Sequence, residues 1–321
     1  MRHFVSLSDL TAEELRELID RGIQMKAARE GGRREPALSG CTMALFFEKP
    51  SLRTRVSFEA AMAQLGGSCV FVQASEVGLG TRESIPDFAR VISQYVDLLV
   101  ARVFEHRTVE ELARHAAVPV INGLSDLAHP CQALADLLTV QELFGGIEGR
   151  TIAFVGDGNN MARSLAEGAY SLGARFVLAA PPGYGFTGAS LKELRQRPGS
   201  GTVEVTADPA AAVAAADLIY TDVWTSMGQE HETERRRQAF AGFQVNAELL
   251  RRAPAHAKVL HCLPAHRGEE ITSDVMDGPQ SAVFQQAANR LHAQKALLVW
   301  LLAEANFPIR RDRQGPKPPP A

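Results

Sequence analysis

The feature that most constrains this chain is a rhythm. Short, uninterrupted apolar runs alternate with stretches of helical periodicity, beginning at Thr42 and continuing almost to the C-terminus. The first series runs MALFF, CVFV, LLVARV and VPVI, separated by helical patterns over 56–65 (stopped by Gly66 and Gly67), 86–95 and 108–115. The second runs TIAFV, RFVLAA, TVEV, LIYTDV and KVLHCL, again with helical segments between. A strand that is apolar on successive residues must be covered on both faces, and strands alternating with helices favour a parallel sheet. The chain's 321 residues exceed one ordinary core and suit two units of about 150.

The predicted fold is therefore α/β: two lobes, each a mostly parallel sheet with helices on both faces, joined by bridging helices. Residues 1–135 should form the first lobe, completed by an apolar C-terminal helix over about 287–305, and 136–286 the second. The helix after Pro130 should bridge them. Ahead of the sheets, Thr11 and Glu14 form a capping box for a helix running toward Arg29. The Pro-rich, charged stretch 309–321 should lack fixed structure.

Composition removes several classes of function. A net charge of −3 supplies no basic field for nucleic acid or anionic lipid, so any anion site must be local. No apolar run approaches the roughly 18 residues that span a bilayer. The four cysteines are scattered without a CxxC pair, and Met1–Leu10 has no signal-peptide pattern, which points to a cytoplasmic protein without structural zinc.

In open parallel sheets, ligands bind beyond the carboxyl ends of the strands. The loops there carry EKPSLRTR, FEHR, NGLSDLAHPCQ, GDGNN, WTSMGQE and PAHRGEE, each of them a segment of polar character. In SLRTR, Ser51 and Thr54 open a helix, so two hydroxyls and free N–H groups can converge on one anion while Arg53 adds a fork-shaped charge. A capped helix with surface arginines would look similar, but three anion-binding groups in one turn after a buried strand favour phosphate. Arg55 is left to brace the loop. Arg102, His129 and Gln132 are placed to donate hydrogen bonds to a carbonyl oxygen that becomes negative in a tetrahedral intermediate. GDGNN lacks the third glycine of a dinucleotide loop, and the next strand ends AAPPGY without an acidic residue for a ribose. Its adjacent asparagines suit a small carboxylate and amine instead. Asp222 can pair with an ammonium, or merely cap a helix, and Ser226 with the Met227 N–H offers further hydrogen bonds. Cys262 stands at a strand end before Pro264, where a buried structural thiol is the plainer alternative.

Together SLRTR, HPCQ, GDGNN, DVWTSMGQE, HCLP and the late ANRLH resemble the ornithine carbamoyltransferases, from about Leu10 to Leu302. SxRTR and HPxQ belong to the wider group that includes aspartate carbamoyltransferase, whereas DxxxSMG and HCLP mark the ornithine enzymes. The resemblance implies carbamoyl transfer to the δ-amine of ornithine without metal or organic cofactor. It assigns carbamoyl phosphate to Ser51, Leu52, Arg53, Thr54, Arg102, His129, Gln132, Cys262, Leu263 and Arg290. The ornithine backbone falls to Asn160, Asp222, Ser226 and Met227, and catalysis to Cys262, Arg102 and His129, with Cys262 as proton acceptor or orienter. It further implies a homotrimer or a multiple of trimers. The family's commonest loop is STRTR, so Leu52 here forgoes a hydroxyl. Gly78 likewise stands, in a loop that approaches a neighbouring subunit, where many members carry a polar side chain. An N-acylated ornithine as acceptor is disfavoured by Asp222, which would have no charge to pair. An aspartate acceptor would need extra cations where SMG stands. A non-catalytic metabolite-binding paralogue would tend to have lost some of these groups.

Overall fold

A computed structural model of the chain describes residues 1–34, 36–226 and 228–304. Met227 and the 309–321 stretch singled out above lie outside the described residues. Two all-parallel sheets are present. The first contains β1 (Thr42–Phe47), β2 (Ser68–Gln73), β3 (Leu98–Arg102) and β4 (Val120–Leu124) in the order β2-β1-β3-β4. The second contains β5 (Thr151–Val155), β6 (Arg175–Ala179), β7 (Thr202–Thr206), β8 (Leu218–Thr221) and β9 (Lys258–His261) in the order β7-β6-β5-β8-β9. Each order reverses once, between β1 and β3 and between β5 and β8. Such switch points splay the connecting loops apart and open a crevice. SLRTR follows β1 and Arg102 ends β3; GDGNN follows β5 and Asp222 follows β8.

The helices of the first lobe are α1 (Ala12–Glu30), α2 (Leu52–Gln64), α3 (Ala74–Val77), α4 (Ile85–Ile92) and α5 (His106–His115). The Thr11–Glu14 capping box forms as read, each side chain bonded to the other residue's backbone N–H. Helix α6 (Pro130–Phe144) leads to the second lobe, which carries α7 (Asn160–Ser171), α8 (Gly188–Arg195), α9 (Pro209–Val213), α10 (Thr233–Phe240), α11 (Ala247–Leu250) and α12 (Ser273–Met276). Helix α13 (Val283–Glu304) then returns, packing on α1, α6 and α2 of the first lobe and touching β9 of the second. It thereby binds the two sheets into one apolar core that runs from Phe4 to Leu302.

Two strands depart from the expected continuous burial. β2 and β7 each end their sheet, and their residues are mostly half-buried or exposed. The opposite end strands, β4 and β9, stay buried because the chain bridges to them at Phe4–Ile121 and Val259–Ser281, whereas CVFV and TVEV are covered less than their composition suggests. Gly78 adopts the left-handed region (φ 67°) at the C-cap of α3, and a Cβ there would lie 2.9 Å from the Arg82 Cβ. The bare glycine is a local requirement of this turn.

Candidate active site

The crevice of the first lobe is built on the N-terminus of α2. Ser51 is its N-cap, its Oγ accepting from the Thr54 N–H (3.3 Å) and donating to the Thr54 hydroxyl (3.0 Å). Leu52 and Arg53 face solvent, and Arg53 forms no ion pair among the described residues. Arg55 turns away to pair with Glu59 of the same helix (2.9 Å) and lies 3.9 Å from the Phe71 ring centroid, bracing α2 against β2.

Buried groups stand behind this helix end. Arg290, from α13, donates to Thr54 Oγ1 (3.2 Å) and to Gln132 Oε1 (2.5 Å). Burial, and then the positive charges of Arg290 and Arg53, lower the Arg102 guanidinium to about 10. Burial is also the main influence lowering Arg290. His129 caps α6, and burial, with Arg290 and Arg102 beside it, holds its ring well below the ordinary histidine range. The ring is therefore neutral near pH 7. Arg102 Nε, Arg290 Nε and His129 Nδ1 are buried without a hydrogen-bond partner among the described residues. Crowded guanidiniums with unused nitrogens are the chemical complement of a multiply charged, oxygen-rich ligand.

One expectation changes here. Gln132 was placed to donate to a carbonyl oxygen, but its Nε2 is committed to Asp136 Oδ1 (2.8 Å), one helical turn on. Its oxygen accepts from Arg290, so Gln132 turns an acceptor to that side, and donors to a carbonyl are left to Arg102 and His129.

The second-lobe crevice centres on Asp222. Its Oδ1 accepts from the Cys262 thiol (2.9 Å) and the Val223 N–H (2.8 Å), and its Oδ2 accepts from Asn159 Nδ2 (2.9 Å). Asn159 also caps α7, its Oδ1 accepting from the Met161 and Ala162 N–H groups, while Asn160 donates instead to the Ser125 carbonyl (2.6 Å). Ser226 has its N–H on Gln229 Oε1 (3.2 Å). Arg236 ties this loop to the β5 end, donating to Asp157 (2.7 Å) and the Trp224 carbonyl (3.0 Å). Gly158 serves that packing, since an added Cβ would lie 3.0 Å from backbone atoms of Tyr184 and Gly185. GDGNN is thus a close backbone approach within the lobe.

Burial, followed by the adjacent Asp222 charge, pushes the Cys262 thiol well above its ordinary value. It keeps its proton and donates it to Asp222. Of the two roles considered, orienting fits this geometry and accepting a proton does not. Leu263, at φ 58° before a cis bond to Pro264, is held by its N–H on His261 Nδ1 (2.9 Å), and His261 Nε2 meets Glu270 (2.9 Å). Asp222, His261 and Cys262 bring ligand atoms within 4.8 Å of one another. Both His261 nitrogens are nevertheless engaged, so the trio is a hydrogen-bonded support and not a donor set for a cation.

The sequence does not single out Asp136, Tyr220 and Gln286, and it points to Asn159 only as half of the asparagine pair. A signal existed for one of the three: Asp136 is a carboxylate within an apolar helix.

Residues 2–142 match the carbamoyl-P binding domain, and residues 148–301 the Asp/Orn binding domain, of aspartate/ornithine carbamoyltransferase. The chain belongs to that family. An ornithine carbamoyltransferase of Anoxybacillus flavithermus is 51% identical over 303 residues, covering 94% of this chain and 96% of that protein. An anabolic ornithine carbamoyltransferase of Pyrococcus furiosus is 49% identical over 308 residues, covering 95% and 98%. A solved ornithine carbamoyltransferase from Pyrococcus furiosus superposes with a TM-score of 0.91 at 49% identity, covering 94% of this chain and 97% of that one. An N-acetyl-L-ornithine transcarbamylase superposes with a TM-score of 0.85 at 30% identity, covering 94% and 100%. Among the described residues no helix is long and apolar enough to cross a membrane.

Proposed function

We propose that this enzyme transfers the carbamoyl group of carbamoyl phosphate to the δ-amine of L-ornithine, giving L-citrulline and phosphate. The observation that carries the reading is the juxtaposition of a buried cluster of guanidinium and imidazole groups with unused nitrogens and a carboxylate, Asp222, whose bonded partner Cys262 lies close enough to act on Arg102 and Arg290. The first suits a phosphorylated carbonyl compound, the second an α-ammonium.

The Ser51–Thr54 turn and Arg53 hold the phosphate, Arg102 and His129 face the carbonyl oxygen, and Arg290 bridges Thr54 to Gln132. Attack by the δ-nitrogen on the carbonyl carbon makes that oxygen negative, where donors already in place stabilise it more than the ground state. The C–O bond to phosphate then breaks, the phosphate leaves with the electron pair, and the nitrogen gives up one proton, taken by the departing phosphate, and keeps the other. The nucleophile must be neutral, and an alkylammonium of pKa near 10.4 costs about 4 to 5 kcal/mol to deprotonate at pH 7. Cys262 and Leu263 orient that amine, while Asn160, Asp222 and Ser226, with Met227, hold the amino-acid end. Neutral His129 adds no further positive charge, which would oppose an ammonium approaching this cleft. Positioning supplies much of the remaining acceleration.

Asp222 also separates this reading from N-acylated ornithine, whose acylated nitrogen carries no charge. Edge strand β2 exposes Val70, and α2 exposes Leu52 and Val56. These apolar side chains beside an unpaired edge support assembly into trimers or a multiple of them. Four unpaired thiols fit a reducing, cytoplasmic setting. The test is direct: incubate the protein with carbamoyl phosphate and a panel of amines, and assay the ureido product. Citrulline should form with ornithine, and preference for N-acetylornithine would reverse the assignment.

A further inference from the structure

Beneath the carbamoyl phosphate cluster lies a fully buried carboxylate that the transfer step does not use. Asp136 Oδ1 accepts from Gln132 Nε2 (2.8 Å) and from Gln286 Nε2 (2.7 Å), and Gln286 Nε2 also reaches the Tyr220 hydroxyl (3.1 Å). Gln132 is consequently pinned at both ends. On its inner side stands an oxygen that accepts, and on its outer side Arg290, which can only donate (2.5 Å). This pair admits one orientation of the amide, with nitrogen inward and oxygen toward the cleft.

We propose that Asp136 is a positioning residue whose carboxylate fixes the Gln132 amide, so that Gln132 Oε1 reads the NH2 of the carbamoyl group. The inference rests on the carbamoyl transfer reading. An NH2 is what distinguishes a carbamoyl phosphate from other acyl phosphates, and recognising it takes an acceptor. The neighbouring guanidiniums, Arg53, Arg102 and Arg290, can only donate, and the Ser51 and Thr54 hydroxyls are engaged with each other. A carboxamide oxygen has two lone pairs, so Oε1 can serve Arg290 and the ligand together. Without Asp136, Nε2 would be buried unpaired, and the side chain would swing to bring it to the cleft, presenting a donor where an acceptor belongs.

The test compares two stable ligands by calorimetry: phosphonoacetamide, which carries the NH2, and phosphonoacetate, which carries a carboxylate in its place. In Asp136→Leu the preference for the amide, relative to the unsubstituted protein, should fall about tenfold or more. Asp136→Asn, whose Oδ1 still accepts from Gln132, should keep the preference, and so should Tyr220→Phe, which leaves the Gln132 bond intact. Should the leucine variant not fold, Asp136→Ser, too short to reach Gln132, takes its place. Equal weakening of both ligands would make Asp136 a packing residue and overturn the proposal. Loss of the preference in Asp136→Asn or Tyr220→Phe would overturn it too, by assigning the effect to the charge or to the wider network. Because the readout is binding, failure of the protein to make citrulline would sink the assigned reaction while leaving this test intact.

Discussion

Replacing Asp222 by Asn appears conservative, yet three donors converge on this carboxylate: the Cys262 thiol, the Val223 N–H and Asn159 Nδ2. An asparagine has one oxygen, so whichever way it turns, its own NH2 meets a donor. Asn159 cannot rotate in compensation, because its Oδ1 is committed to the first N–H groups of α7, and giving up that cap costs about 1 kcal/mol. The substitution should lower stability by about 1 to 3 kcal/mol, the cost of one unsatisfied buried donor. Ornithine loses more. Removing one partner of a desolvated charge pair costs about 2 to 5 kcal/mol, or roughly thirtyfold to several thousandfold in affinity. Carbamoyl phosphate, whose proposed site is built from α2, β3, α6 and α13, should be nearly unaffected. Calorimetric titration of ornithine with phosphonoacetamide saturating, and of phosphonoacetamide alone, separates the two effects. Equal weakening of both ligands would show that Asp222 supports the fold or lobe closure. Unchanged ornithine affinity would mean that the α-amine is held elsewhere, and N-acylated substrates would regain ground.

Arg53→Ala should weaken phosphonoacetamide by about ten- to a hundredfold, the worth of one charge-assisted contact to a dianion, with no change in melting temperature since the side chain is exposed; unchanged affinity would remove the phosphate assignment. For Cys262→Ala, turnover should fall by a larger factor than ornithine affinity, because the proposed role of the thiol is beside the reacting nitrogen, and intact turnover would make it a packing residue. Burial raises the Asp136 carboxyl to about 7, so its contribution to stability is full below the unfolded carboxylate range near pH 4 and is lost as pH rises through 7. Urea titrations at pH 5 to 7.5 should therefore show the unsubstituted protein losing stability relative to Asp136→Asn, and parallel curves would contradict that shift.

Much of this molecule was legible before any coordinates. Continuous apolar runs between helices require parallel sheets, and parallel sheets put the loops after each strand on one edge, so SLRTR, GDGNN and DVWTS could be read as ligand loops from order alone. Thr11 with Glu14 needed only its own turn. What depended on long-range packing was hidden. Strand order decided that CVFV and TVEV lie at sheet edges and that the two crevices open after β1 and β5. Gln132 and Asp136 are local neighbours, but the direction of the Gln132 amide is set by Arg290, 158 residues away, which arrives only when α13 packs across α6 and α2. The protonation of Cys262 is likewise a property of its neighbours, fixed by burial against Asp222 from another strand. Periodicity and turn chemistry are local and survive in sequence. Hydrogen-bond direction and proton affinity are set by whatever the fold brings within 3 Å, and tertiary structure alone decides that.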